Sequence, residues 1–419
     1  MKVPNRLSPI AVFALLGCGL AASAQQLTPT SASAQNWVAL AGSADGGRVV
    51  AAASYGRVYL STNSGATWIP ANTAQNGAEP ERPWTGLACS ADGNTLAGVA
   101  NFVPVFTSTN AGLTWQQSGP SGVWTAVAIS GEGSRIAAAD HNGAIYLSTD
   151  HGGSWSASSA PAHRWRSLTC SANGTTLFAG SDLGTNYGQP ATIYVSTNAG
   201  TTWMDTSAPS QPWQTLTCSA DGARVVAGAY GGPVYLSIDS GSSWKQTGLP
   251  VRRWGGVAGS SDGRRLIAAA WEGDVYISCD SGQSWNRADA PMGPWLPVAS
   301  SADGIHVFLG IWDASSGGIY QAKLAPVLQI KPSQAGTIVS WAGPATGYLL
   351  QQNPDIASDN WSLVNSRPTM VNGENQVVFP ATPGVSAYRL VRTDALSNLS
   401  GPVTGAGPLK GGLIAPAGF

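Results

Sequence analysis

Apolar and polar positions repeat along most of this chain. Seven tryptophans open a segment of the form W-x-x-[LV]-x-x-S: Trp37, Trp84, Trp124, Trp165, Trp213, Trp254 and Trp295, spaced by 47, 40, 41, 48, 41 and 41 residues. The copy opening at Trp213 shows the unit. "WQTLTCS" is a short apolar strand, "ADG" a turn, "ARVVAGA" a second strand, "PVYLS" a third, and "WKQTG" begins a fourth after "IDSGSS". Four strands joined by tight turns, at a period near 40 residues, predict an all-β, seven-bladed β-propeller over residues 25–325. The strands of each blade are called A to D below.

Two turn signatures recur. Ser-x-[Asp/Asn]-Gly stands between strands A and B, as in "SADG" at 43, 90, 219 and 301, with the variant "SGEG" at 130. An Asx residue followed by Gly supplies a side-chain acceptor and then a residue that tolerates positive φ. Between strands C and D, six copies carry an eight-residue box, such as "STNSGATW" (61–68) and "STDHGGSW" (148–155). Its third position reads Asn63, Asn110, Asp150, Asn198, Asp239 and Asp280. An amide cannot do the work of a catalytic carboxylate, whereas an Asx turn accepts either, so these six positions are read as structural.

The seventh copy has no box and no fourth strand of its own. The opening Trp of a blade follows a box Trp by ten residues in blades 4 to 7, and ten residues before Trp37 is Leu27. Residues Gln26–Pro29 are therefore expected to pair with blade 7 and remove two open sheet edges. Beyond the repeats, strand-like runs such as "TIVSWAG", "GYLLQQN" and "AYRLVR" predict a small antiparallel β-sandwich over 326–393. Residues 394–419, rich in Gly, Pro and Ser, read as a flexible tail.

Composition fits this picture. Charged residues make up 10% of the chain, against about a quarter in ordinary globular proteins, while Gly (52) and Trp (17) are abundant. A formal net charge of −1 argues against a nucleic-acid partner or a polybasic membrane surface. Residues 1–24 read as a signal peptide: Lys2 and Arg6, an apolar core over 7–20, and a small-x-small site before Gln25. "LLGC", ending at Cys18, resembles a bacterial lipobox and would instead leave a lipid-anchored Cys18. Either route predicts a secreted, periplasmic or outer-surface protein, with no transmembrane segment in the mature chain, expected as a monomer. Cys89, Cys170 and Cys218 occupy equivalent positions on different inner strands, too far apart for a bridge. These three and Cys279 are expected as free thiols.

The box resembles the Asp box, or BNR repeat, of the sialidase-like superfamily. Sialidase catalysis relies on an arginine cluster, a Tyr–Glu pair and an acidic residue outside the boxes, with a Phe/Tyr-Arg-Ile-Pro motif before them. That motif is missing here, the nearest stretch being "ERPW" at 81–84. The compact blades, nearly all boxed, resemble more closely the photosystem II assembly-factor type of propeller, which implies non-catalytic binding of protein. The C-terminal segment resembles the fibronectin-like modules of secreted bacterial proteins.

Connectivity puts both turn signatures on one rim and the B–C loops with the blade-to-blade links on the other. The second rim varies. Its loops carry Tyr55, Phe102, His141, Tyr187, Tyr230, Trp271 and Trp312, and its links Arg82, His163, Arg164, Asp205, Arg252, Arg253 and Asp289. Aromatics beside a few polar groups suit a glycan or an extracellular protein. Tyr55, His141, Tyr230, Trp271, Trp312, Arg164 and Arg253 are the candidate binding residues. The alternative is a glycoside hydrolase, which needs two carboxylates about 5–9.5 Å apart. Asp140, Asp205, Glu272 and Asp313 are its only candidates, and no spacing singles out a pair. The four histidines show no metal-ligand spacing, and no cofactor motif occurs.

Overall fold

The computed structural model describes residues 26–71, 81–182, 190–326, 328–333, 336–342, 348–354, 360–371, 374–380, 386–392 and 413–415. The chain divides into two compact units, one of them Gln25–Leu324 and the other containing Ala325–Phe419. The first is a seven-bladed propeller whose innermost strands pack side by side in a closed ring: Trp37–Gly42, Arg82–Cys89, Trp124–Ile129, Trp165–Cys170, Trp213–Cys218, Arg252–Gly259 and Trp295–Ser300. No helix long and apolar enough to cross a membrane occurs among the described residues.

Each opening tryptophan lies at the top of strand A and is at most 2% exposed. It meets the C-strand aromatic of its own blade edge to face or tilted, from 5.1 Å between centroids for Trp84–Phe106 to 6.1 Å for Trp254–Tyr276. It also reaches the preceding blade. Trp165 packs with Ala137, Ala139 and Ile145, and its indole N–H donates to the Gly143 carbonyl at 3.1 Å. Trp254 does the same toward Val226, Val234 and the Gly232 carbonyl. One residue thus fills the wedge between neighbouring blades. That is why the sequence repeats it seven times.

The A–B turns carry a second device. Ala44 N–H donates to Ala91 O, Ala91 to Gly131, Gly131 to Ala172, Ala172 to Ala220, Ala220 to Ser261, Ser261 to Ala302, and Ala302 back to Ala44, all at 2.7–2.9 Å. Seven backbone bonds of one sense close a circle. In six of the turns the Ser hydroxyl and the Asx carboxyl or amide hold the loop, and in blade 3, where Glu132 replaces the Asx, Ser130 Oγ still accepts from Arg135 N–H at 3.1 Å. Ser43 donates to Asp45, Gly47 N–H donates to Asp45 Oδ1 at 2.9 Å, and Arg48 N–H to Ser43 Oγ at 3.0 Å.

The boxes fasten onto these turns. His151 N–H donates to Ser134 O at 3.0 Å, and Ser64, Ala111, Ala199, Ser240 and Ser281 make the equivalent bond. All six of these residues sit at φ between 55° and 62°. In "STDHGGSW", Ser148 Oγ accepts from Gly152 N–H at 2.9 Å and donates to Asp150 Oδ1 at 2.8 Å. Asp150 Oδ1 accepts from Ser154 N–H at 2.9 Å, and Oδ2 from Ser154 Oγ at 2.7 Å. Where Asn replaces Asp, the partner is Thr and the bond reverses: Asn63 Nδ2 donates to Thr67 Oγ1 at 2.9 Å. The same exchange pairs Asn110 with Thr114 and Asn198 with Thr202, and Asp239 with Ser243 and Asp280 with Ser284. The box carboxylates are thus turn acceptors, and the Ser154 hydroxyl, with other donors, holds Asp150 down at about 2.

Blade 7 takes its fourth strand from the N-terminus. Thr28 and Pro29 pair antiparallel with Gln321 and Tyr320, and Gln26 bridges Asp289. Cys89, Cys170 and Cys218 are free, as expected, and burial pushes the Cys89 and Cys218 thiols up to about 12. Cys279 is 4% exposed. It stands inside the blade 6 box, outside the set of equivalent inner-strand positions on which the argument for free thiols rested.

The second unit is a sandwich of two four-stranded antiparallel sheets. One orders Gln329–Ser333, Gly336–Ala342, Glu374–Phe379 and Thr369–Val371; the other Ser362–Leu363, Tyr348–Asn353, Ser386–Arg392 and Leu413–Ala415. Val339, Trp341, Leu350, Val377 and Tyr388 meet between them. Within the segment expected as a tail, Leu413–Ala415 pairs with Ser386, Ala387 and Tyr388 at the edge of the second sheet. The remainder of 394–419 and residues 1–24 lie outside the described residues.

Two outcomes follow. Deleting residues 25–33 exposes the C-strand edge of blade 7, and the thermal midpoint should fall sharply; an unchanged melt would contradict the closure. Ser148→Ala strands the Gly152 N–H and should cost about 1–3 kcal/mol in denaturant unfolding, whereas Asp150→Asn should be mild. The reverse order would contradict the structural reading of the box.

Candidate functional site

B–C loops and blade links are tied together on one rim. Tyr230 and Gly232 pair with Arg253 and Arg252, and Ser54 and Gly56 with Pro83 and Arg82. On this side the ring of inner strands opens as a channel of about 550 Å³. Its lining combines the inner-strand residues with Ser54, Asn101, His141 and Trp312 from B–C loops, and includes no residue of the A–B turns or the boxes.

The candidate residues fall into three pairs and one outlier. Trp271 and Trp312, from adjacent blades, lie 6.2 Å apart with their planes at 42°. Tyr230 is 52% exposed beside Arg253, whose Nε pairs with Glu272 Oε1 at 2.8 Å. His141 and Arg164 form the third pair: Arg164 Nε and Nη2 donate to His141 Nε2 at 3.1 and 2.9 Å, and Arg164 lies 3.4 Å from Asp182. An arginine cannot accept, so Nε2 is the unprotonated nitrogen and His141 is neutral. Burial, then the Arg164 charge, lowers its pKa. Tyr55 stands apart on blade 1.

Among the described residues, Tyr55 and Phe102 are the most exposed aromatics of the rim, at 75% and 76%, with φ of 50° and 68°. The left-handed region carries a penalty of about 1–2 kcal/mol for a side chain with a Cβ. Blade 5 fills the equivalent place with Gly231, at φ 71°. Packing therefore gives no reason for an aromatic at either site. His163, by contrast, is a core residue. It is 6% exposed, its Nε2 lies 3.3 Å from the Tyr194 hydroxyl, and its ring is tilted against Trp165. Tyr187, in the enlarged blade 4 loop, lies outside the described residues.

The four carboxylates considered for hydrolysis are engaged elsewhere. Asp140 Oδ1 accepts from Asn142 N–H at 2.9 Å, Asp205 accepts from the Thr192 hydroxyl, and Glu272 holds Arg253. The hydroxyls of Ser316 and Ser315 keep Asp313 well below the usual carboxylate range. No Asp or Glu lines the channel among the described residues. No group of three or more His, Cys, Asp or Glu with metal-binding geometry occurs among them either.

Sequence reasoning missed Arg166 and Gln214. Both line the channel, and Arg166 Nε donates to Gln214 Oε1 at 3.0 Å. They stand one residue after their blade's opening Trp, where the other blades carry Val38, Thr85, Thr125, Gly255 and Leu296. A break in the repeat was the available signal.

No family model matches the sequence, and no curated protein does. Solved structures do. YCF48 bound to D1 peptide is 17% identical, with a TM-score of 0.54, covering 72% of this chain and 96% of that one. YCF48 from Cyanidioschyzon merolae is 15% identical, with a TM-score of 0.56, covering 72% and 99%. At these identities the likeness is one of fold, and that fold is the β-propeller.

His141, His163 and His306 all have pKa values lowered by burial from 6.5. The unfolded chain binds more protons below 6.5, so stability should be full above that pH and fall as pH drops toward the lower folded-state values. Melts from about pH 8 to pH 5 should show this loss, and His141→Gln with His306→Gln should flatten it. A pH-independent midpoint would contradict the lowering of the three histidines by desolvation.

Proposed function

We propose that this chain is a non-catalytic recognition propeller that binds an extended segment of a partner protein across its B–C rim. The observation that carries this reading is the pair of exposed aromatics, Tyr55 and Phe102, held in left-handed backbone where the fold has no use for them. They share the rim with Tyr230, Trp271 and Trp312, around an open channel mouth. Rigid aromatics on a fixed scaffold are the usual anchors of such interfaces. That a protein of similar fold has been solved with a peptide bound supports a peptide here. The apolar N-terminal segment supports export, and with it a partner outside the cytoplasm.

A second reading has one observation in its favour. The Trp271–Trp312 pair offers two indole faces, on which a sugar ring can stack.

Phage-displayed random heptapeptides and a glycan array separate the two. Peptide binders should be enriched. Combined Tyr55→Ala and Trp312→Ala should weaken them at least tenfold, with the thermal midpoint nearly unchanged. Enrichment of glycans alone would favour the second reading, and binders indifferent to both substitutions would remove these residues from the site.

A further inference from the structure

The channel is electrostatically one-sided. One position after each opening tryptophan, the blades present Val38, Thr85, Thr125, Arg166, Gln214, Gly255 and Leu296 in turn. Only blade 4 carries a charge there. Gln214 accepts the Nε–H of Arg166 at 3.0 Å and so fixes the plane of the guanidinium. Its two terminal nitrogens make no hydrogen bond or ion pair among the described residues. The nearby charges do not offset it. His141 is neutral, Arg164 is matched by Asp182, and no carboxylate lines the channel among the described residues. A side chain that is exposed, oriented and unmatched in a concave site raises the local concentration of anions.

The facing wall is apolar. Leu296, Pro297 and Val38 come from blades 7 and 1. Between Trp295 and Val298 the blade 7 inner strand slips register against its neighbour His306–Ile311, and its backbone lies close to blade 6. Gly255 and Gly256 admit this: a Cβ on Gly255 would lie 2.0 Å from Trp295 O, and one on Gly256 2.6 Å from Leu296 O. The strands thus bring an apolar wall opposite a forked cation.

We propose that the channel mouth recognises a carboxylate paired with an apolar side chain. The carboxylate is received end-on by the two terminal nitrogens of Arg166, and the apolar group lies against Leu296, Pro297 and Val38. The inference rests on the peptide reading given above and names the group that reading leaves open. Two sources present this chemistry: a chain's C-terminal carboxylate with an apolar last residue, and an internal Asp or Glu beside an apolar residue. A planar fork favours a carboxylate over a neutral amide, because both N–H···O bonds are charge-assisted.

The test uses the whole mature chain and two phage-displayed random heptapeptide libraries, one with free C-termini and one with the segment internal. Enriched peptides are synthesised with each carboxylate intact or converted to the amide. The expected result is enrichment of an acid next to an apolar residue in one library. The amide should bind at least tenfold more weakly, and so should the acid peptide against Arg166→Gln. Affinity should fall when salt is raised from about 0.05 to 0.5 M. Enrichment in the free-end library alone assigns the C-terminal carboxylate, and in the internal library the side-chain acid. Arg166→Lys keeps the charge without the fork and should recover only part of the affinity. A circular-dichroism melt of each variant excludes misfolding. Peptides that bind equally as acid and amide, or equally to Arg166→Gln, overturn the inference while leaving peptide recognition standing. Enrichment of no peptide in either library overturns both.

Discussion

The circle of seven backbone hydrogen bonds from Ala44 through Ala302 sets the terms for the rest of the propeller. Each bond joins the same residue of successive turns, so the circle closes only if every blade presents its A–B turn at the same height and angle. That accounts for the repeated Ser-x-Asx-Gly, whose side chains hold the turn internally and leave its backbone free to bond sideways. It also accounts for the small residues in the circle, Ala, Gly and Ser, which leave room for seven turns around one axis. The boxes then hang from the turns through their left-handed residue, and with them the C–D ends of six blades. A net contribution near 1 kcal/mol is usual for one such bond, so the effect of the circle is cooperative more than additive: no blade can shift alone.

At the other end of the blades nothing imposes symmetry. The buried tryptophans keep neighbouring blades apart at one spacing, and above them the B–C loops differ in length, residue type and backbone conformation. The channel inherits that difference, with a polar side at Thr125, Arg166 and Gln214 and an apolar side at Leu296 and Pro297. Recognition on this scaffold is a property of departures from the repeat. Tyr55 where blade 5 has Gly231, and Arg166 where the other blades are uncharged, are two such departures.

Most of the scaffold was legible in the sequence because side chains carry it. The tryptophan period gives the blades, and exchange of Asp for Asn marks the box as a turn. The pairing of Asn with Thr and Asp with Ser across the box was equally legible once the bond between them is known. The circle itself was not, because its donors and acceptors are backbone atoms with no residue signature. Nor was the Arg164–His141 bond, which makes a candidate binding histidine a neutral acceptor. Arg166 was hidden by the alternation of its strand. A register shift follows the opening tryptophan of every blade, between Trp165 and Ser167 in the strand of Arg166, so strict alternation misplaces the residue after the Trp.

Native-state hydrogen exchange on the seven circle amides tests the central claim most directly. If the circle closes the propeller as one cooperative unit, the N–H groups of Ala44, Ala91, Gly131, Ala172, Ala220, Ser261 and Ala302 should exchange with a single free energy, equal to that of global unfolding of the propeller. Graded values, with Ala302 and Ala44 exchanging first at the junction of blades 7 and 1, would show blades that open one at a time and would contradict it.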